Sequence, residues 1–379
     1  MKVCIFTSVF QSPFDHRVFY KQAISLVKVG YNVALIAQHD KDEIVDGVKI
    51  VALPKPRNRF WRMLGMWRVF NLALKQKADI YHFHDPELLP WGWLLQKLTG
   101  KPVIYDVHEY FIDTILFKAW IPFFLRKPIA WIFDRIEKFF AGRLSAIITV
   151  TEPMKQNFSG CRGICVSVCN FPNLDMIARA IDNKRSGNKN ERYSIVNTGK
   201  ITKERGFEIV LEAMDVVVKR HPKDTCAILA EAGDIAWLDE SYTNLMNRLI
   251  KEGNLKIMGR VPHNEVFQYL DISSIAWKPR LPYQDALDVT VFEYMACGKP
   301  VVASDVPLIN NIIREAKCGI LVDPNDAKAH ASAILYLLEH PEEARKMGEN
   351  GRKAVVEKYN WETESRKLIA VYEDLLKGR

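Results

Sequence analysis

The chain of 379 residues lacks several short motifs that mark common enzyme classes. No G-x-G-x-x-G follows its first strand-like segment, which argues against a dinucleotide-dependent oxidoreductase. No G-x-x-x-x-G-K-[ST] is present, which excludes a P-loop kinase or nucleoside triphosphatase. Neither H-E-x-x-H nor G-x-S-x-G occurs, so neither a zinc protease nor a serine hydrolase with a nucleophile elbow is indicated.

Cysteine is scarce, and long apolar runs are missing. Of the seven cysteines, only Cys161, Cys165 and Cys169 lie close together, and their spacing fits no zinc or iron–sulfur pattern. We expect free thiols in a reducing cytosol. No uninterrupted apolar run reaches about 18 residues, so no membrane-spanning helix is predicted. The opening segment MKVCIFTSVF is too short for a signal peptide and is expected to form a core strand.

Acidic residues are under-represented in the N-terminal half. Residues 1–170 carry 23 Lys and Arg against 14 Asp and Glu, whereas the remainder carries 30 against 31. The excess is concentrated in residues 55–77, KPRNRFWRMLGMWRVFNLALKQK, which hold seven basic residues and no acid. Basic residues mixed with Trp, Phe and Met indicate a surface that meets an anionic bilayer or nucleic acid.

Strand-like runs alternate with helical segments in two successive blocks. Continuous β-branched runs separated by helices predict parallel sheets covered on both faces. The polar segment 173–192 separates the blocks and is predicted to be a linker. We therefore expect an α/β protein with two Rossmann-like parallel-sheet domains, 1–172 and 193–359, that face a central cleft. Ligands in such folds bind at the carboxyl ends of the strands.

The segment NTGKITKERGFEIVLEAM indicates an anion site. A predicted strand ends at Gly199, and Lys200 and Arg205 follow in a loop that Gly206 closes before a helix. Two cations beside a helix N-terminus make a suitable cradle for a diphosphate. The alternative is that these cations are simply solvated in a surface loop.

Glu293 lies in the otherwise apolar run TVFEYMACGKPVVASD, and a buried carboxylate requires a partner. One interpretation is a capping box, with Thr290 as N-cap and Glu293 reaching back to its N–H. The other is a ligand, because Asp285 lies eight positions before Glu293 and the two carboxylates could accept hydrogen bonds from sugar hydroxyls.

These two segments together resemble a known family. GKITKERG followed by FEYMACGKPVVASD resembles the C-terminal domain of the retaining glycosyltransferases of family 4, which have the GT-B fold. In the N-terminal half, DHRVFYKQAISLVKVGYNVALIA, YHFHDPELLP and KPVIYDVHEY resemble the bacterial polysaccharide branch of that family. YNWETESRKLIAVYEDLLKG is similar to the family's last helix, so residues 360–379 are expected to pack back on the N-terminal domain.

The resemblance implies transfer of a hexosyl or acetylhexosaminyl group from a nucleotide-diphosphate sugar, with retention at the anomeric carbon. UDP is favoured over GDP, and no metal or other cofactor is required. Lys200 and Arg205 would hold the diphosphate and stabilise the leaving group, and His108 would position the transferred sugar; these are the implied catalytic residues. Further donor contacts are implied for Glu293 at the ribose, Asp285 at the sugar, and Gly259, Arg260 and Val261 around the base.

Two positions depart from the family pattern. Asp285 stands where Glu is usual, and Thr290 stands where part of the family has Lys. These departures leave open a second interpretation, a catalytically weak or inactive GT-B protein that binds nucleotide sugars. The family's Gly-Gly loop after the first strand is also replaced here, and Asp15, His16 and Arg17 of the substituted segment are expected to face the acceptor.

Histidines and carboxylates gather at two predicted strand ends, namely His82, His84, Asp85, His108 and Glu109. Such a set could ligate a metal in a hydrolase. However, neither strand end carries a helical i, i+4 pair, and the donor-binding signals would then be unexplained. We therefore expect no metal site, and we expect His84 and Asp85 to form a hydrogen-bonded pair with a structural or acceptor-binding role.

Residues 111–144 are rich in Phe, Trp and Ile and contain several Lys and Arg. Pro122 and Pro128 are expected to break the segment, so it is not one spanning helix. It is either a hairpin with buried apolar faces or a surface that dips into lipid headgroups. The second interpretation places the protein peripherally on the cytoplasmic face of the inner membrane, beside a saccharide or lipid-linked acceptor. Nucleic acid is disfavoured, because the aromatics are grouped with aliphatics.

Overall fold

The computed structural model describes residues 1–8, 12–55, 59–109, 111–118, 120–182, 193–199, 201–223, 226–229, 235, 237–259, 261–281 and 288–378. The chain divides into two compact units. The first comprises Met1–Asn170 and Trp361–Arg379, and the second comprises Phe171–Asn360. No helix in the described ranges is both long and apolar enough to cross a membrane.

The first unit is built on a sheet of eight strands. The strands are β1 Lys2–Phe6, β2 Asn32–Gln38, β3 Glu43–Val45, β4 Val48–Leu53, β5 Ile80–Phe83, β6 Val103–Val107, β7 Ala146–Thr149 and β8 Ile164–Ser167. Their order across the sheet is β3-β4-β2-β1-β5-β6-β7-β8. All neighbours are parallel except β3 and β4, which form an antiparallel edge pair.

Helices cover both faces of this sheet, because successive strand residues alternate between two apolar cores. In β1, Val3 and Ile5 belong to one core cluster, and Cys4 and Phe6 belong to the other. The helices begin with a π-helical segment, His16–Ala23, and a 3₁₀ turn, Pro86–Leu88, precedes the third. They are α1 Ile24–Lys28, α2 Arg59–Lys75, α3 Leu89–Thr99, α4 Phe111–Phe117, α5 Phe123–Ala141 and α6 Glu152–Gln156.

The second unit has a parallel sheet of six strands in the order β11-β10-β9-β12-β13-β14. The strands are β9 Tyr193–Thr198, β10 Cys226–Leu229, β11 Leu255–Ile257, β12 Ser273–Lys278, β13 Val301–Ser304 and β14 Gly319–Val322. The helices are α7 Leu174–Asp182, α8 Phe207–Arg220, α9 Glu240–Lys251, α10 His263–Ile272, α11 Val289–Ala296, α12 Asn310–Ala316, α13 Ala327–Glu339 and α14 Pro341–Glu357.

The last helix, α15 Trp361–Lys377, belongs to the first unit. Leu368, Val371 and Tyr372 are buried in the core cluster that contains Ile5 of β1. The indole N–H of Trp361 is also 2.9 Å from its acceptor, the hydroxyl of Ser25. The chain therefore completes its first unit only with its final residues.

Two sequence predictions about chain breaks are wrong in part. The predicted linker 173–192 begins with α7, because Ile177 and Ala180 recur at helical spacing and are buried. Pro122 precedes α5, as expected for a break, but Pro128 lies inside the helix and does not end it. Pro128 is the sixth residue of α5, so its missing N–H deprives only a carbonyl near the helix start of a partner.

Candidate donor and acceptor sites

Four polar side chains line one face of the first unit's sheet near the carboxyl ends of β5 and β6. His82 and Asp106 lie within these strands, and His84 and His108 follow two residues later on the same face. His82, His84 and Asp106 are buried, whereas 23% of the His108 side chain is exposed. His108 is therefore the member of this cluster that a ligand can reach.

Asp106 forms a two-point ion pair with Arg17. The Nε of Arg17 is 3.1 Å from Oδ2, and its Nη2 is 2.9 Å from Oδ1. The amide of Gln22 donates a further hydrogen bond to Oδ2. Burial by itself would raise the pKa of Asp106, but Arg17, His108 and His82 outweigh it and hold the pKa well below its usual range. These neighbours therefore favour the ionised form of Asp106 at the centre of the network.

The helix at His16–Ala23 delivers Arg17 to this position. Asp15 caps the helix by accepting hydrogen bonds from the N–H groups of Arg17, at 2.8 Å, and Val18, at 2.9 Å. Arg17 is buried, and its Nη1 donates to the carbonyl of Val168 at 2.9 Å. The prediction that Arg17 faces an acceptor is thus wrong, because protein groups bind its guanidinium. His16 is exposed, as an acceptor contact requires.

His84 contacts His108 and not Asp85, so the predicted His84–Asp85 pair is wrong. Nδ1 of His84 is 2.9 Å from Nε2 of His108, and each is 3.5 Å from Oδ2 of Asp106. Asp85 instead accepts a hydrogen bond from the N–H of Ser8 at 2.5 Å. Burial lowers the pKa of His84 well below its ordinary value and raises the pKa of Asp85.

His82 is joined to the last helix of the chain. Its Nδ1 is 2.6 Å from the hydroxyl of Tyr372 on α15, and burial lowers its pKa. Nitrogen atoms of His82 and His84 and an oxygen of Asp106 lie within 4.8 Å of one another, a spacing at which such atoms can hold a metal ion. Both oxygens of Asp106 already accept hydrogen bonds from Arg17, which also places a positive charge beside the three atoms.

In the second unit, a cationic cluster lies at the carboxyl ends of β9 and β12. Gly199 follows β9 with φ 143°, and a Cβ at that position would lie 3.0 Å from Nη1 of Arg205 and 3.4 Å from Nζ of Lys278. Thr202 caps the turn that carries Arg205, and Gly206 with φ 70° leads into α8. The predicted cradle residue Lys200 lies outside the described residues.

Lys278 is a member of this cluster that the sequence analysis missed. It ends β12, is buried, and donates to the carbonyl of Thr198 at 2.8 Å. Its Nζ is also 3.3 Å from Oδ2 of Asp288, which lies 3.4 Å from Nη1 of Arg280. Burial would raise the pKa of Asp288. The charges of Lys278, Arg280 and Arg205 and a hydrogen bond from Thr290 lower it. The only sequence signal that could have indicated Lys278 is the presence of a lysine at the end of the short predicted strand SIAWKP.

Asp288, and not Thr290, is the N-cap of α11, so the predicted capping box is wrong. The carboxylate of Asp288 accepts hydrogen bonds from the N–H of Thr290, at 3.2 Å, and from its hydroxyl. Glu293 is buried in the second turn of α11. The next residue, Tyr294, joins the helix to the end of β9, because its hydroxyl is 2.9 Å from the N–H of Thr198.

The remaining predicted donor residues are only partly described. Gly259, two residues after β11, has φ 73°, and a Cβ there would meet no atom within 4 Å. Glycine is therefore favoured at this position by its positive φ and not by a lack of space. Val261 is half-buried, whereas Arg260 and Asp285 lie outside the described residues. The described part of the cluster therefore consists of cations at two strand ends and the carboxylate of Asp288 at the start of α11.

Comparison with known proteins connects both units to one enzyme family. The family model "Glycosyltransferase Family 4" matches residues 16–169, and "Glycosyl transferases group 1" matches residues 178–354. The MMP alpha-(1->4)-mannosyltransferase of Mycolicibacterium hassiacum is 31% identical over 332 residues, which cover 81% of this chain and 73% of that protein.

Solved structures show the same fold at lower identity. Sucrose-phosphate synthase from Thermosynechococcus elongatus superimposes with a TM-score of 0.74 at 19% identity and covers 100% of both chains. HepE from Anabaena in complex with UDP gives a TM-score of 0.70 at 15% identity and covers 99% of this chain and 100% of that one. The chain belongs to the family 4 glycosyltransferases and is a glycosyltransferase with the GT-B fold.

Proposed function

We propose that this glycosyltransferase moves a hexosyl or acetylhexosaminyl group from a nucleotide-diphosphate sugar to a saccharide or lipid-linked acceptor. The transfer retains the anomeric configuration and serves the synthesis of a bacterial surface polysaccharide. The observation that carries the donor class is the pair of cations beside Gly199, Arg205 and Lys278, together with Arg280, which shares Asp288 with Lys278. Such a concentration of positive charge at strand ends suits a diphosphate leaving group.

The donor nucleotide is proposed to be UDP in preference to GDP. The complex of the fold neighbour HepE with UDP supports this choice. In this proposal Lys200 and Arg205 bind the diphosphate, and Glu293 binds the ribose hydroxyls. Asp285 contacts the sugar, while Gly259, Arg260 and Val261 surround the base.

On the first unit, His108 is proposed to position a hydroxyl of the transferred sugar. Its partial exposure and the hydrogen bond between its ring and that of His84 support this role, since the ring is both reachable and oriented. His16, His84 and Asp85 are proposed to lie on the acceptor side, with His84 acting through His108. We also propose that the reaction needs no bound metal, since Arg17 already neutralises Asp106.

We propose that α5 contacts an anionic membrane. The helix packs on α4 through a small buried cluster that includes Ile115 and Ala130, but its other face is exposed. Phe123 is 81% exposed, Phe124 is 76% exposed and Trp131 is 61% exposed. The aromatic patch, as we call this surface, comprises Trp120, Phe123, Phe124, Ile129, Trp131, Ile132, Ile136 and Phe139.

Cations lie directly on the aromatic patch. The guanidinium of Arg143 is 3.6 Å from the ring centroid of Phe139, and that of Arg135 is 5.4 Å from Trp131. Apolar side chains of this size combined with cations suit the boundary between lipid headgroups and acyl chains. The patch thus supports peripheral contact with an anionic membrane, which we propose to be the cytoplasmic face of the inner membrane. The basic stretch 55–77 was predicted to assist, but residues 56–58 and the side chains of 59–64 lie outside the described residues.

A thermal-shift panel of UDP-, GDP-, ADP- and CMP-sugars tests the donor assignment. A nucleotide that binds the folded protein raises the melting temperature by mass action. We expect UDP-sugars to give the largest increase, and an absence of stabilisation by every nucleotide sugar would overturn the proposal. The alternative, an inactive nucleotide-sugar binder, is separated from it by turnover, because such a protein would be stabilised without releasing UDP.

A further inference from the structure

Lys278 is an unusual residue to find at the end of an interior strand. β12 lies between β9 and β13, and Lys278 has almost no solvent exposure. Burial lowers its pKa, because the charged ammonium loses its hydration. A buried lysine is costly unless it is paired, so the presence of a lysine at this position requires a reason.

Asp288 faces Lys278 together with two arginines. Its Oδ2 is 3.3 Å from Nζ of Lys278 and 3.4 Å from Nη1 of Arg280, and the charge of Arg205 also acts on it. Cations that are grouped in a poorly solvated region are stabilised when an anion binds.

The ammonium of Lys278 also has a donor left for a ligand. A lysine ammonium has three N–H donors, and the described contacts of Nζ are to the carbonyl of Thr198 and to Asp288. The same nitrogen lies beside Gly199, where a Cβ would be 3.4 Å away, and Gly199 carries the loop of Arg205. A side chain at Gly199 would therefore stand against both cations.

We propose that Lys278 is a further phosphate-binding residue of the donor site, a role that rests on the donor function proposed above. Asp288 and the carbonyl of Thr198 hold its Nζ beside Gly199, and the remaining N–H binds an oxygen of the nucleotide diphosphate. The alternative is a purely structural ion pair that joins β12 to the start of α11.

Lys299 provides a matched control for this proposal. It is also a partly buried lysine whose pKa burial lowers, and it donates to the carbonyls of Asp271, at 2.8 Å, and Ser273, at 2.9 Å. Its partners flank the amino end of β12, opposite the end at which Lys278 lies. The variants K278M and K299M thus each remove a lysine with carbonyl partners, but only the first removes a charge beside Gly199.

The experiment measures UDP affinity by titration calorimetry, and thermal stability without nucleotide, for wild type, K278M and K299M. We expect UDP affinity to fall about 10- to 100-fold in K278M, the range of a hydrogen bond to a charged group, and to be unchanged in K299M. Wild-type UDP affinity in a folded K278M protein would overturn the proposal. Failure of the wild type to bind UDP would overturn the donor function as well, which separates the two results.

A double variant covers the possibility that K278M does not fold. K278M/D288N also removes the carboxylate that has lost its lysine partner, and Asn at position 288 retains a good N-cap for α11. We expect this protein to fold and to bind UDP as weakly as K278M. Recovery of wild-type UDP affinity in the double variant would show that Lys278 serves only to neutralise Asp288.

Discussion

Arg17 and Asp106 are 89 positions apart in the chain, yet the guanidinium of Arg17 donates to both carboxylate oxygens of Asp106 at 3.1 and 2.9 Å. Both side chains are buried, and Asp106 is a residue of β6. The pair fixes the helix that begins at His16 against the strand that leads to His108.

The first prediction concerns this ion pair. D106N should lower the free energy of unfolding of the first unit by about 3–5 kcal/mol, because it leaves the charge of Arg17 buried and unpaired. K101M is a suitable control, since it removes an ion pair of 3.6 Å to Asp79 that is partly exposed and should cost less than about 1 kcal/mol. Unfolding monitored by hydrogen exchange in each unit measures both, and similar losses for both variants would contradict the account.

The second prediction concerns Glu293. E293A should weaken UDP binding by about 1–3 kcal/mol, the scale of a hydrogen bond to a charged group, if the carboxylate holds the ribose. T290A should leave UDP affinity unchanged, since the Thr290 hydroxyl is bonded to Asp288. Calorimetric titration of both variants distinguishes a ligand role from a structural one. If E293A loses stability and retains full UDP affinity, the ribose assignment fails.

The third prediction concerns the aromatic patch. A protein with F123S, F124S and W131S should lose at least about tenfold in its affinity for vesicles that contain phosphatidylglycerol, because each of these exposed side chains would bury apolar area in the bilayer. The control variant is I44S with L98S, which removes two exposed apolar residues elsewhere on the same unit. Vesicle sedimentation at low salt provides the measurement. An absence of wild-type binding there would refute the membrane proposal.

The fourth prediction is a pH dependence that arises from His330. This buried ring accepts a hydrogen bond from Nε1 of Trp277 at 3.0 Å, and burial lowers its pKa to about 4. The unfolded chain therefore binds a proton at a higher pH than the folded chain does, so stability rises with pH between about 4 and 6.5. Lowering the pH from 7 to 4.5 should cost the second unit about 2–3 kcal/mol through this residue alone.

Two variants separate His330 from other titrating groups. H330Q should be less stable at pH 7, but its free energy of unfolding should fall less steeply on acidification than that of the wild type. H221Q removes a half-exposed histidine of the same unit, 3.4 Å from a carboxylate oxygen of Glu339, and is the variant with which H330Q is compared. Equal slopes for H330Q and the wild type would show that His330 does not contribute.

The features that depend on short stretches of sequence, namely the strands, the family motifs and the turns, were predicted correctly. The alternation of β-branched runs with helices predicted the two sheets, which are parallel except at the β3–β4 edge, and the segments GKITKERG and FEYMACGKPVVASD identified the family. Positive-φ glycines such as Gly206 marked true turns. The N-cap of α11 was assigned wrongly, because Asp288 and Thr290 are both good N-cap residues and only the backbone conformation selects Asp288.

Pairings over long sequence distances could not be predicted. His82 meets Tyr372 across 290 positions, and Lys278 meets Thr198 across 80. Such contacts depend on strand order and register, which a single sequence does not contain. For the same reason Arg17 was expected at a surface: nothing near it in the sequence shows that Asp106 lies opposite.

The measurement that tests the central claim most directly is transfer of a sugar from a UDP-sugar, followed by nuclear magnetic resonance in the presence of EDTA. The account predicts release of UDP and a product, formed on a saccharide or lipid-linked acceptor, whose new linkage has the anomeric configuration of the donor. Chelation should not slow the reaction. Inversion at the anomeric carbon, a strict requirement for a metal, or binding of UDP-sugars without any turnover would contradict it.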